Sequence, residues 1–244
     1  MPKPQSRAST VTIPRRDPRV NSDKVLKLDQ LGLRLHFLHQ NKDYESVQEV
    51  VFFIDEHSLK SRSDFFRRAT NGNWKESDDR VINMPDDDPE LVELYLKIIR
   101  LNQIPTKQTG DDSNPEDEFK ILYCLYVLAE RFQDPKTKNT IIDAFLAMTL
   151  EIHPGNIWFY PCLSCIRIIY EGTCKNSLAR KFLVDYWMEH GKDAWTYVQG
   201  THFLVEFYED LVQAMFSHRT FTARFSTLTC DPSRYYEDIS TKDA

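Results

Sequence analysis

Glycine is scarce in this chain, with seven among 244 residues, at positions 32, 72, 110, 155, 172, 191 and 200. Their spacing makes no G-x-G-x-x-G, no P-loop and no G-x-S-x-G turn, so the common nucleotide and hydrolase sites drop out. Long apolar runs are also missing: the longest, residues 121–129, has nine, against the roughly 20 that a membrane-spanning helix needs. The first ten residues lack the apolar stretch of a secretory leader, and the five cysteines are odd in number. A reducing cytoplasmic or nuclear location is therefore expected. Basic charge is in deficit, 31 Lys and Arg against 37 Asp and Glu for a net −6. That balance argues against gripping a nucleic-acid backbone and points to a protein partner. The seven histidines are scattered, with no H-E-x-x-H.

What is present is 41% hydrophobic and 28% charged, a globular composition. A chain of this length buries roughly 70% of its unfolded surface, so neither disulfides nor a structural metal are needed. Residues 1–24 combine nine Pro, Ser or Thr with a charge of +4 and read as a disordered basic arm.

Residues 31–37 alternate Leu31, Leu33, Leu35 and Phe37 with polar or small neighbours, the period of a half-buried strand. After the turn material Asn41-Lys42-Asp43, the β-rich run of residues 47–54 predicts a second strand and hence a hairpin. A short helix over 65–69 is opened by Ser63 and closed by Gly72, and a third strand fits 80–84. Then the pattern turns helical. Asp88-Pro89, Asn114-Pro115 and Asp134-Pro135 each put an acceptor at N-cap and proline at N1. The first helix presents Leu91, Leu94, Tyr95 and Ile98. The second is apolar nearly all round from Phe119 to Phe132 and is expected to be the buried one, and the third presents Ile141, Ile142, Phe145 and Met148. The acids Asp111, Asp112, Glu116, Asp117 and Glu118 read as a solvated loop with no site. Further helices end at Gly172 and Gly191, and a last one carries Leu204, Phe207, Tyr208, Leu211, Val212 and Met215. Residues 219–244 read as an irregular surface tail.

Two clusters invite chemistry. Cys162-x-x-Cys165, with Cys174 and His153 nearby, has the spacing to grip zinc, but the surrounding Leu163, Ser164 and Ile166 favour reading these cysteines as small buried hydrophobes. The acids Glu76, Asp78, Asp79, Asp86, Asp87, Asp88 and Glu90 could hold a divalent cation. Their simpler reading is an N-cap at Asp88 with companions favoured by the helix dipole. No cofactor, metal or catalytic residue is assigned.

Three ordered words carry a resemblance: Ser61-Arg62-Ser63-Asp64-Phe65-Phe66, then Gly72-Asn73-Trp74-Lys75-Glu76-Ser77, then Met84-Pro85-Asp86-Asp87-Asp88-Pro89-Glu90. Together they closely resemble the BTB/POZ domains of filamentous-fungal proteins, over about residues 28–150. Ile168-Ile169-Tyr170-Glu171-Gly172-Thr173 and Leu183-Val184-Asp185-Tyr186 look like the helical extension of those proteins, here residues 151–218. The resemblance implies an α+β fold, a small three-stranded sheet with a helix cluster followed by an all-helical extension. It also implies a docking and self-association module without catalysis. Family members that bind the cullin scaffold of a ubiquitin ligase carry a hydrophobic-x-Glu motif before the third strand, which matches Trp74, Lys75 and Glu76 here. An aromatic anchor beside a carboxylate is a common hot-spot composition.

The chain departs from the family pattern twice. Ile54-Asp55-Glu56 stands where Val-His-Lys is usual, and Arg100-Leu101-Asn102 replaces a Tyr-x-Gly turn. The expected function is protein–protein interaction, with a ubiquitin-ligase adaptor as the first form. The alternative is a self-associating scaffold or nuclear regulator, homodimeric through the sheet edge and first strand.

Overall fold

The computed structural model of the chain describes residues 17–22, 33–40, 47–71, 80–107, 115–152, 160–191, 205–217 and 232–237. The hairpin forms where alternation predicts it. Strand β2 (Leu33–Gln40) pairs antiparallel with β3 (Val47–Ile54), Leu33 opposite Ile54 and Gln40 opposite Val47. Leu33, Leu35 and Phe37 are buried, while Arg34 between them is exposed. The short strand β4 (Val81–Asn83) joins the other edge of β2 in parallel, placing Ile82 in the core and giving the order β3-β2-β4.

Between the hairpin and β4 the described residues form two helices where the sequence predicts one, α1 (Glu56–Arg62) and α2 (Asp64–Asn71). The missed helix starts at the departure Ile54-Asp55-Glu56: the Asp55 carboxylate accepts from the Ser58 N–H at 2.7 Å and caps α1. Ser63 ends α1 and begins α2, its hydroxyl accepting from the Phe66 N–H at 3.2 Å and donating to the Phe132 carbonyl at 2.5 Å.

Helix α3 (Pro89–Leu101) opens on Asp88 with proline in the first turn, as its cap signal predicts. Its buried set, Val92, Tyr95, Leu96, Ile98 and Ile99, is rotated from the predicted face, and Leu91 and Leu94 are only half-buried. It stops at Asn102, left-handed at φ 51° and ψ 30°, whose N–H bonds to the Ile98 carbonyl at 2.8 Å. Asparagine thus supplies the terminating conformation that the missing glycine turn would have given.

The second departure from expectation is at the N-terminus. Residues 19–21 of the expected disordered arm form β1 (Arg19–Asn21), parallel to β5 (Ile104–Lys107), a strand the sequence pattern did not reveal. The reason is electrostatic. The Arg19 side chain is 2% exposed and reaches Asp17, Glu118 and Glu151 at 3.0, 3.2 and 2.5 Å. Glu118 also accepts from the Thr106 hydroxyl at 2.7 Å, so one of the acids expected in a solvated loop is a structural ligand of the arm. Residues 1–16 and 23–24 of the arm lie outside the described residues.

Helix α4 (Pro115–Arg131) packs against α3, α5 and α6 and buries Phe119, Leu122, Tyr123, Leu125, Tyr126, Leu128 and Ala129, as its all-round apolarity predicts. Helix α5 (Pro135–Thr149) buries its predicted face of Ile141, Ile142, Phe145 and Met148. Then come α6 (Leu163–Gly172), α7 (Leu178–His190) and α8 (Val205–Ser217). Gly172 is needed for close approach rather than for a cap: a Cβ there would overlap the Val127 methyls on α4. On α8 the expected face is less covered than its spacing suggests, since only Phe207 is buried and Val212 and Met215 are exposed.

One apolar core runs from Leu33 through α6 and α7 to Tyr235. The expected surface tail is corrected here as well. The 3-10 turn Pro232–Tyr235 inserts a fully buried Tyr235, which donates to Asp185 at 2.9 Å and meets Phe182 edge-on at 5.3 Å. Asn139 fastens the backbone beyond it, accepting from the Glu237 N–H at 2.6 Å and donating to its carbonyl at 3.1 Å. The chain is α+β, with eight α-helices and five short strands among the described residues. None of those helices is long and apolar enough to cross a membrane.

Candidate interaction surface

Trp74, Lys75 and Glu76 lie in residues 72–79, outside the described residues, as do Asp78 and Asp79 of the acidic block. What the structure places are the two ends of that segment, and both are tied to α1. At the leading end the Lys60 ammonium donates to the Asn71 side-chain carbonyl at 2.5 Å and pairs with Glu56 at 3.3 Å. At the trailing end Arg80, left-handed at φ 51°, pairs with the same Glu56, and its carbonyl accepts from the Arg34 N–H at 3.1 Å. Glu56 is thus the common post for both ends. It occupies a position where the sequence departs from the resembled family, and no spacing rule singled it out.

The C-terminal end of α1 leads into a buried polar junction. Asp134, fully buried, caps α5 by accepting from the Thr137 N–H at 2.9 Å and the Thr137 hydroxyl at 2.6 Å. It also accepts from the Tyr95 hydroxyl at 3.1 Å and faces the Arg62 guanidinium at 3.5 Å. Burial, and then the Asp134 charge, hold the Tyr95 phenol well above its usual pKa, so it stays a donor. Phe65, Phe66, Tyr95 and Phe132 pack around the junction with ring centroids 4.8 to 5.5 Å apart. Arg62, Ser63, Phe65 and Phe66 all come from the first of the three words, so that word locks α1 and α2 onto α4 and α5.

The acidic block divides by role. Asp88 caps α3, accepting from the Glu90 N–H at 2.9 Å, and Asp87 pairs with Arg131 at the end of α4. No group of three or more His, Cys, Asp or Glu able to hold a metal ion occurs among the described residues. On the open face of the sheet, His36 lies 3.0 Å from the Asn83 side chain and 2.7 Å from Glu49. The hydrogen bond with Asn83, and then that with Glu49, raise the His36 pKa and favour its charged form.

Among the described residues the zinc reading of the cysteines gains no further ligand, Cys174 being exposed near Glu130 at 4.0 Å; His153 lies outside them. Cys162 and Cys165 are nevertheless brought together, their sulfurs 3.4 Å apart at the start of α6. The reading as two buried hydrophobes holds for Cys165, 1% exposed, and fails for Cys162, which is exposed. The C-x-x-C spacing itself was the signal.

A scan against protein-family models finds no match to this chain, and a search of curated proteins finds none either.

Proposed function

We propose that the chain is a docking module of the BTB/POZ type that acts through its surfaces and carries no catalysis of its own. In this reading residues 72–79 present Trp74, Lys75 and Glu76 to a cullin scaffold, and the C-terminal helices receive a client protein in the cytoplasm or nucleus. The observation that carries it is the anchoring of both ends of that segment on α1 through Glu56, Lys60, Asn71 and Arg80. Fixing where a segment leaves and re-enters the fold reduces the ordering cost of binding through it. The element order supports the same reading: a hairpin, short helices, a third strand added to the sheet, then helices.

The test is affinity capture from native cells with mass spectrometry, comparing wild type with W74A/E76A after circular dichroism shows the variant folded. A cullin recovered by wild type and lost from the variant is the expected result. Retention by the folded variant refutes the site, and absence of a cullin from both refutes the adaptor role.

The second reading is a self-associating scaffold or nuclear regulator. Strand β2 is central and paired on both sides, so among the described strands the edges are β3 and the three-residue β4, and β3 is the one long enough for such pairing. A dimer by light scattering that Val51→Lys, a change at a partly exposed β3 position, converts to monomer would support it.

A further inference from the structure

Two sulfurs in this chain are arranged in a way that packing alone does not require. Cys162 is the N-cap residue of the ten-residue helix α6, with extended backbone (φ −76°, ψ 166°), and is exposed. Cys165, one turn on, is buried against the core. The sulfurs stand 3.4 Å apart, and the Ser164 hydroxyl is 2.8 Å from Cys162 Sγ. A disulfide needs them at about 2.0 Å, a closure that a residue at the cap can make without unwinding the helix behind it.

We propose that Cys162 and Cys165 form a reversible dithiol/disulfide couple that exchanges with small soluble disulfides such as glutathione disulfide, Cys162 attacking and Cys165 resolving. The exposed Cys162 thiolate attacks one sulfur of the small disulfide, whose S–S bond breaks and releases one thiolate. Cys165 then gives its proton to that departing thiolate, and its sulfur attacks Cys162 Sγ and expels the second small thiolate, which takes up from water the proton that Cys162 lost on ionising. In sum two protein thiols are oxidised to one disulfide, and one small disulfide is reduced to two thiols.

The surroundings fit these roles. The hydrogen bond from the Cys165 thiol, aided by the one from Ser164, lowers the Cys162 pKa to about 5, while the same bond and burial push the Cys165 thiol up. Tyr123 supplies an independent sign. Its hydroxyl is fully buried without a hydrogen-bond partner among the described residues, and its pKa is raised first by burial and then by the nearby Cys165, Tyr186 and Cys162. An orphan donor thus lies within electrostatic reach of a sulfur pair whose charge changes with redox state. The other described cysteines lack this arrangement: Cys124 is half-buried on α4 with its pKa raised by burial, and Cys174 is solitary.

The experiment equilibrates the full chain with glutathione buffers from reduced to oxidised, quenches with acid, alkylates with N-ethylmaleimide and maps the peptides by mass spectrometry. Both cysteines fall in one tryptic peptide, residues 139–167. In oxidised buffer more than half of this peptide is expected unalkylated and lighter by two hydrogens than the dithiol, and in reduced buffer doubly alkylated. Cys165→Ser is expected to stop at a mixed disulfide on Cys162, and Cys162→Ser to form no linkage in this peptide. Should either variant misfold, the wild-type peptide decides alone. A peptide doubly alkylated at every ratio overturns the proposal. So does one that resists alkylation until a chelator is added, which would make the pair a zinc site. As a second readout, alkylation of Cys162 should change less than about 3-fold between pH 6 and 8, because its thiolate is already formed. An ordinary thiol speeds up about 10-fold per unit below its pKa, and that slope at Cys162 would refute its role as the attacking sulfur.

Discussion

The two ends of the described chain are both drawn into the fold, by opposite means. Near the N-terminus a cation does it: Arg19 is enclosed by Asp17, Glu118 and Glu151, with Lys107 2.9 Å from Asp17. Near the C-terminus an aromatic ring does it: Tyr235 sits in the core against Phe182, with its hydroxyl on Asp185. The first anchor depends on charge and is partly open to water, since the Asp17 and Glu151 side chains are 29% and 39% exposed. The second depends on displaced water and on shape. One chain therefore holds two aperiodic segments with anchors that should respond differently to mutation, pH and salt.

The largest way to break this comparison is Tyr235→Ala. Removing a fully buried aromatic costs about 3–5 kcal/mol, and urea unfolding should show that loss with little dependence on salt. Arg19→Met keeps the packing but strips the cation from three carboxylates. Breaking a buried pair costs about 3–5 kcal/mol, and the partial exposure of the acids discounts this to about 1–3 kcal/mol.

The pH dependence sharpens the contrast. Burial pushes the Asp17 carboxyl up, but the hydrogen bonds from Arg19 and Lys107 outweigh it and leave its pKa below the usual value. A carboxyl with a depressed folded pKa contributes stability above its unfolded pKa, about 3.9, and loses it as pH falls through the folded value. The gap between wild type and Arg19→Met should accordingly narrow below about pH 4, whereas the Tyr235→Ala gap should not. Guanidine-free thermal melts from pH 3 to 7 would read both.

The smallest expected effect is Tyr235→Phe. The bond to Asp185 is removed while the ring stays, and that carboxylate keeps Lys181 at 2.5 Å, so about 0.5–1.5 kcal/mol is the expected loss in the same urea titration. A loss as large as that of Tyr235→Ala would mean that the hydroxyl, and not the ring, anchors the tail.

The hairpin was legible because alternation over Leu33, Leu35 and Phe37 is a local statement about two faces, and α3 and α5 were legible because Asp88-Pro89 and Asp134-Pro135 name their own starts. Helix α1 was missed because its cap, Asp55, follows directly on a β-rich run, so the change of period falls within two residues. Strands β1 and β5 pair across more than 80 positions, and a three- or four-residue strand has too few residues to show a period. The candidate docking residues Trp74, Lys75 and Glu76 came from resemblance, while the posts that tie the segment's ends, Glu56 and Arg80, are ordinary surface charges until the fold sets them side by side. Cys162 and Cys165 were visible as a spacing, but which of them faces water was not.

By itself the sequence determined the alternating hairpin, the capped helices, the buried character of α4 and the lack of a run long enough to span a membrane. Only the tertiary structure decided that Arg19 and Tyr235 are anchors, that Gly172 is held small by Val127, and that two cysteines meet sulfur to sulfur. The physical reason is range: period and capping are set by neighbours within about one helical turn, whereas burial of a charge, a ring or a thiol depends on which distant segments enclose it.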